Sequence, residues 1–261
     1  MRLLAPKRRA KAAEVVFPYL VKAYNELHRL TGLHTQYKMV IYHFPKGSEH
    51  GWGGTSDCSI WYSEESLDLD AQSEWQRHRV PHVAGYIEEM AHNFVSASHA
   101  QFGWEMVGWS LGAKVAGKVA GNPVHDRHLS DTRKDQARTF ERYVQSGCVF
   151  PEKIPANLCD RIHAYILWRC EKDYGADFWS DFFSEVRKAR PHFARARRFS
   201  GDEERNERYR ITVDCFDRLE GLEFKELLQR FHISLTTDVK SLHPTDPGWD
   251  RRLVPPDERQ H

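Results

Sequence analysis

The chain has 261 residues, 40% of them hydrophobic and 29% charged, and a formal net charge of +1. This suits one large globular domain or two smaller lobes. It gives no charge-based expectation of a nucleic-acid partner unless basic residues cluster locally, and no run approaches the ~20 apolar residues of a membrane span.

Residues 6 to 31 read as a helix. Ala13, Val16, Phe17, Leu20, Val21, Tyr24 and Leu27 recur at three-to-four spacing, and Gly32 closes the segment. "QYKMVIYHF" (36–44) reads as a strand in which Met39, Ile41 and His43 share one face and alternate with Val40 and Tyr42. The glycines of "PKGSEHGWGGTSD" predict a loop, and "CSIWYS" (58–63) a second strand. From there the pattern is helical: a short helix at 65–76, then 82–98, 104–120, 130–146, 155–173, 176–189, 207–219 and 223–231. The proline-containing tail beyond Leu242 is expected to be extended or disordered. "RKARPHFARARRF" (187–199) reads as a solvated helix end with its loop, or as a patch for phosphate or nucleic acid. The expected organisation is α+β. A mixed lobe spans 1–100, with a short sheet and the motif helix described below; a helical lobe spans 101–242, and a tail 243–261.

The 5 cysteines, Cys58, Cys148, Cys159, Cys170 and Cys215, contain no Cys-x-x-Cys pair, so a thiolate zinc finger is not expected. The N-terminus "MRLLAPKRRAKAAEVVF" is basic and is not followed by an apolar core of signal-peptide length. The expectation is a reduced, cytoplasmic setting, with secretion as the alternative for a chain trimmed of a leader.

"HVAGYIEEMAHNF" (82–94) carries the chemistry. At about 100° per residue, Val83, Ile87, Met90, Ala91, Phe94 and Val95 face a core. Glu88 and His92, one turn apart, share the flank, and Glu89 lies just around from them. Two ligands one turn apart with a further carboxylate alongside is the layout of a helical metallopeptidase site. The pair holds an ion, and the third group moves a proton from the attacking water to the leaving amine. A catalytic zinc takes three protein ligands. Glu105 is the candidate for the third, in the first turn of the next helix, whose Gly108, Gly112 and Ala116 would let a neighbouring helix approach closely. His99, in the connecting loop, competes with it.

"YIEEMAHNF" followed by "GWEMVGWSLGAKVAG" resembles the enhancin-like, mucin-degrading zinc metallopeptidases. That family has a His-Glu-x-x-His helix often continued by Asn and an aromatic, then a Trp-rich segment that supplies a glutamate ligand. "ADFWSDFFSEVRKARP" and "EGLEFKELLQRFHISL" are similar to its helical C-terminal part, and "GWGGTSDCSIWYS" to its glycine-rich strand region. The resemblance implies a zincin-like (gluzincin-type) fold, Glu89 as general base, His92 and Glu105 as ligands, and a peptide or glycoprotein substrate. Glu88 departs from the pattern, because it stands where the family has its first histidine. A ligand set of one imidazole and two carboxylates can hold one divalent ion. Zinc is expected, and the added carboxylate moves preference toward Mn²⁺ or Fe²⁺. The same departure also fits an inactive relative that binds a peptide, glycan or protein partner in its cleft.

Two other readings compete. Glu89-x-x-His92 is also the i, i+3 pair of carboxylate-bridged helical bundles. These need a second such pair, and the nearest, Asp160-Arg161-Ile162-His163, has the wrong acid. Alternatively, both glutamates are solvated and His92 is a hydrogen-bonded, half-buried residue. Among supporting groups, "GWGGTSDCSIWYS" could line a cleft as an edge strand that accepts an extended substrate, or be a plain hairpin loop. Tyr62 and Tyr86 are oxyanion-donor candidates for which a core position is the simpler reading. His82 and His78 precede the motif as surface histidines, with His82 also a candidate cap. Trp104 and Trp109 are core residues or, less simply, sugar platforms.

Overall fold

A computed structural model of the chain describes residues 1–35, 38–44, 53–56, 59–64, 83–98, 104–121, 123–149, 158–199 and 201–233. The chain divides into two compact units. One comprises Met1–Ala97 with Gly108–Asp131, and the other Ser98–Val107 with Thr132–His261. The architecture is α+β with a helical bulk.

In the first unit, strand β1 (Arg2–Leu4) leads through a 3₁₀ turn (Lys7–Arg9) into helix α1 (Ala10–Thr31). Val16, Leu20, Ala23, Leu27 and Leu30 form the buried stripe of α1. The helix stops where Gly32 takes φ 62°, a left-handed value costly for a residue with a Cβ, and its N–H caps the His28 carbonyl at 2.8 Å. β2 (Val40–Phe44) returns parallel to β1. Then β3 (Gly53–Ser56) and β4 (Ser59–Ser63) form an antiparallel pair, with β4 parallel to β2. The sheet order is β1-β2-β4-β3. Met39, Ile41 and His43 point inward as the alternation requires, and Ile41 lies in register with the equally buried Ile60. Glu64, directly after β4, is 3% exposed and is bound in two places by Arg8, at 2.9 and 2.5 Å. That charge-assisted fork ties the start of α1 to the end of β4.

Helix α2 (Ala84–Ser98) follows, then α3 (Trp104–Ala120). Tyr24 of α1 meets Phe94 of α2 edge-on at 5.2 Å, and Lys118 of α3 reaches Glu26 of α1 at 2.8 Å. Arg29 and Lys118 together hold the Glu26 carboxyl below the usual carboxylate range, against the opposing effect of its partial burial.

The remaining helices are α4 (Pro123–Gln145), α5 (Leu158–Tyr174), α6 (Phe178–Lys188), α7 (Arg190–Ala196), α8 (Gly201–Asp217) and α9 (Phe224–Arg230). The core of the second unit is aromatic. Phe178, Trp179, Phe182, Phe183, Phe216 and Phe224 are fully buried, and Phe182 stacks on Phe216 at 3.8 Å. Tyr143 of α4 donates to the Phe231 carbonyl just beyond α9 at 2.9 Å.

Four expectations need correcting. Residues 53–56 form a strand rather than loop, and β1 was not foreseen. Helices α4 and α8 begin earlier than their apolar periodicity indicates, and residues 190–196 form a helix of their own. Helix 65–76 and the tail after Leu242 lie outside the described residues. Among the described residues, no helix is long and apolar enough to cross a membrane. Cys148, Cys170 and Cys215 are buried free thiols; burial pushes the latter two up to about 12, so they stay protonated at neutral pH.

Candidate functional site

The apolar arc of α2 falls where its spacing puts it. Val83, Ile87, Met90, Ala91, Phe94 and Val95 are each no more than 1% exposed. On the adjoining flank Glu88 is half-buried and His92 is 2% exposed. His92 is therefore not the half-buried group of the solvated reading.

Helix α3 meets that flank through its glycines. A Cβ on Gly112 would lie 2.7 Å from the Cα of Glu88, and one on Gly108 would lie 2.1 Å from Nδ1 of His92. Both distances are far inside van der Waals contact. The partners are 88 with 112 and 92 with 108, so four residues forward on α2 match four residues back on α3. The two helices run antiparallel along this seam. The small-residue row expected to admit a close helix admits the motif helix itself, on the face that carries Glu88 and His92.

Burial fixes the protonation state of His92. Withdrawn from water, its imidazole is pushed down from 6.5 to about 4, so it is neutral at pH 7. Neutral imidazole is the form whose ring nitrogen can bind a metal. Nδ1 and Cε1 are the ring atoms nearest Gly108, which leaves Nε2 on the edge turned from that contact. Half-buried Glu89 follows Glu88, and Asn93 donates its side-chain amide to the Glu89 carbonyl oxygen at 3.0 Å.

Glu105 lies in the first turn of α3, three residues before Gly108. Its side chain, and those of His99, Trp104, His78 and His82, lie outside the described residues. Trp109 is half-buried. Among the described residues, no group of three or more His, Cys, Asp or Glu side chains is placed to hold an ion. At the rival pair, His163 on α5 is 3% exposed and also pushed down to about 4 by burial, and Arg161 is spent on Asp135 at 2.6 Å. A cavity of about 320 Å³ in the second unit is walled by Phe140, Tyr165, Phe231, Arg169 and Asp173, among others, and holds none of the expected site residues.

A third group next to α2 escaped the sequence reading. His43 Nδ1 lies 3.3 Å from the Leu4 carbonyl oxygen, which only accepts, so Nδ1 carries the proton. Nε2 then accepts from the Tyr86 hydroxyl at 2.8 Å. Burial lowers the pKa of His43, which favours this neutral tautomer. The Tyr86 proton is thus committed to His43, and at 1% exposure Tyr86 is a core residue rather than an oxyanion donor. Tyr62 packs on Tyr86 with ring centroids 4.5 Å apart, and its hydroxyl oxygen is 3.0 Å from the Cβ position of Gly85 in the first turn of α2. The inward phase of His43 was legible, and a buried imidazole needs partners, but nothing in the spacing named Tyr86.

The sheet places its glycine-rich strand next to this region. Gly53 of β3 pairs with Tyr62 of β4, and β3 ends the sheet order, antiparallel to its neighbour. Among the described residues the other side of β3 bears no strand. Compared with protein-family models, curated proteins and solved structures, the chain matches none.

Proposed function

We propose that the chain is a divalent-metal-dependent hydrolase acting on a peptide or glycoprotein, of the zincin-like, enhancin-like type. Glu88, His92 and Glu105 are its ion ligands and Glu89 its general base. The observation that carries this reading is His92: a deeply buried, neutral imidazole one helical turn after a carboxylate, with two glycines of α3 set against that turn. Burying a histidine costs free energy unless its ring nitrogens are paired, and a bound ion is one partner that a neutral imidazole can take. Glu105 is assigned from the sequence, as the acid that precedes Gly108 on the helix facing this flank.

A bound zinc, manganese or iron ion would supply Lewis acidity and a water of lowered pKa. Glu89, adjacent to the ligand pair, is placed in the chain to take that water's proton and return it to the leaving amine. Strand β3, with Gly53 and Gly54, offers backbone groups to an extended substrate, the mode by which a peptide adds to a sheet edge.

Elemental analysis of protein purified with zinc, and separately with manganese, tests the reading. The expected result is about one ion per chain, lost in His92→Ala and in Glu105→Ala. Glu89→Gln is expected to keep the ion and lose peptide hydrolysis. No stoichiometric ion under metal-replete conditions removes the basis of the proposal. Glu88→His separates a working variant site from an inactive relative. A gain of tight zinc binding with new peptidase activity marks a lost site, and unchanged zinc affinity takes Glu88 out of the ligand set.

A further inference from the structure

Residues 187–199 contain six Lys and Arg and no Asp or Glu, whereas the whole chain is +1, so this stretch carries more positive charge than the entire molecule. The structure leaves most of these cations exposed around one short helix. Helix α7 is anchored by Phe193 and Ala196, both fully buried, while Arg190, His192 and Arg195 on its other faces are exposed. Arg198 is exposed just beyond it, followed by Phe199 at 41%. Three acids nearby are already engaged, while Glu203 is exposed and leaves, among the described residues, one negative charge beside six positive ones. Glu185 binds Lys188 at 2.5 Å, Glu204 binds Arg208, and Glu207 binds Arg210 at 2.6 Å. The guanidinium groups of Arg190, Arg195 and Arg198 have no ion-pair or hydrogen-bond partner among the described residues.

We propose that this surface of α7 binds the phosphate backbone of single-stranded nucleic acid. Five of the six cations are arginine, whose planar fork matches phosphate oxygens in pairs where lysine offers only a point charge. An exposed aromatic among arginines adds a stacking platform for an unpaired base, whose face a duplex does not present; an anionic membrane could also take up the ring, so vesicle binding is an arm of the test. The net charge of the chain gave no such expectation because acids elsewhere mask the cluster. No residue of α2 or α3 takes part, so this proposal stands or falls apart from the hydrolase.

The test is anisotropy of a labelled oligo-thymidine of roughly 20 nucleotides, titrated with the full chain across a salt series. Three phosphate contacts on a single strand predict a log–log salt slope of about −2. Arg190→Gln/Arg195→Gln/Arg198→Gln should cost at least about tenfold in affinity, the loss expected from removing those counterion-releasing contacts. The unfolding midpoint of that triple variant should stay unchanged. Lys11→Glu, an exposed cation in the first unit, should bind as wild type. Phe199→Ala should weaken single-strand binding more than duplex binding. The proposal is overturned by no saturable binding at about 50 mM salt, by a slope near zero, or by a triple variant that binds as wild type. It is also overturned if poly-glutamate or phosphatidylserine vesicles bind the same arginines as tightly, since an acidic protein or a membrane would then be the partner.

Discussion

Gly112→Ala is expected to destabilise the protein by about 1–3 kcal/mol, the usual range for forcing a methyl group into a filled interior. The ordinary effect has the opposite sign, because alanine is preferred to glycine in a helix interior by up to ~1 kcal/mol. Helix α3 contains its own control. A Cβ on Gly117 meets nothing within 4 Å, so Gly117→Ala should stabilise by the propensity difference. At Gly112 the obstacle is the Cα of Glu88, at 2.7 Å, and backbone cannot swing aside, so α2 and α3 must separate along the seam. At Gly108 the obstacle is the His92 ring, at 2.1 Å from Nδ1. Gly108→Ala should therefore displace that imidazole and, if His92 is a ligand, abolish ion uptake in protein that is still folded at low temperature. Urea midpoints of the three variants decide the matter. If Gly112→Ala is as stable as Gly117→Ala, the close approach does not exist in solution.

That seam also shows what the sequence could and could not announce. Gly108, Gly112 and Ala116 at four-residue spacing announced a close helix, and Glu88 with His92 at i, i+4 announced a shared face. Spacing along one helix says nothing about what lies opposite, so the pairing of 88 with 112 and 92 with 108 is a tertiary fact that no local pattern carries. Strand β3 was hidden because Gly53 and Gly54 signal a turn. Its extended form comes from pairing with Trp61 and Tyr62, a tertiary cause that local propensity does not carry. β1, at three residues, is too short for alternation to register. At α7, a proline in a helical pattern signals a stop, yet Pro191 sits in the first turn of a helix, where its missing N–H has no intrahelical partner to lose. Helix α8 starts in "GDEERNER", whose polar residues give no apolar stripe until Tyr209 and Ile211.

Acid is expected to weaken the protein through His163, and here the effect can be assigned to one side chain. Its folded value is about 4 because α5 withdraws it from water beside Ile162, Ala164, Ile166 and Leu167, whereas an unfolded histidine titrates at 6.5. Above pH 6.5 both states are neutral and the group contributes nothing to the pH dependence. As pH falls from 6.5 toward 4, the unfolded chain takes up a proton that the folded chain refuses. Stability is then lost at about 1.4 kcal/mol per pH unit, roughly 3 kcal/mol by the time the folded imidazole begins to protonate. Below that point this group causes no further loss. His92 and His43 carry shifts of the same direction in the first unit, so wild type alone cannot separate the three. His163→Gln can, since an amide keeps hydrogen-bonding capacity without titrating in this range. Measured by urea unfolding in the presence of a chelator, which keeps metal binding at His92 out of the comparison, the variant should gain on wild type steadily between pH 6.5 and 4. At pH 7 and above the difference between them should not depend on pH. A pH-independent difference across the whole range would mean that His163 already takes up its proton in the folded state, and that water or a charged partner reaches it inside α5.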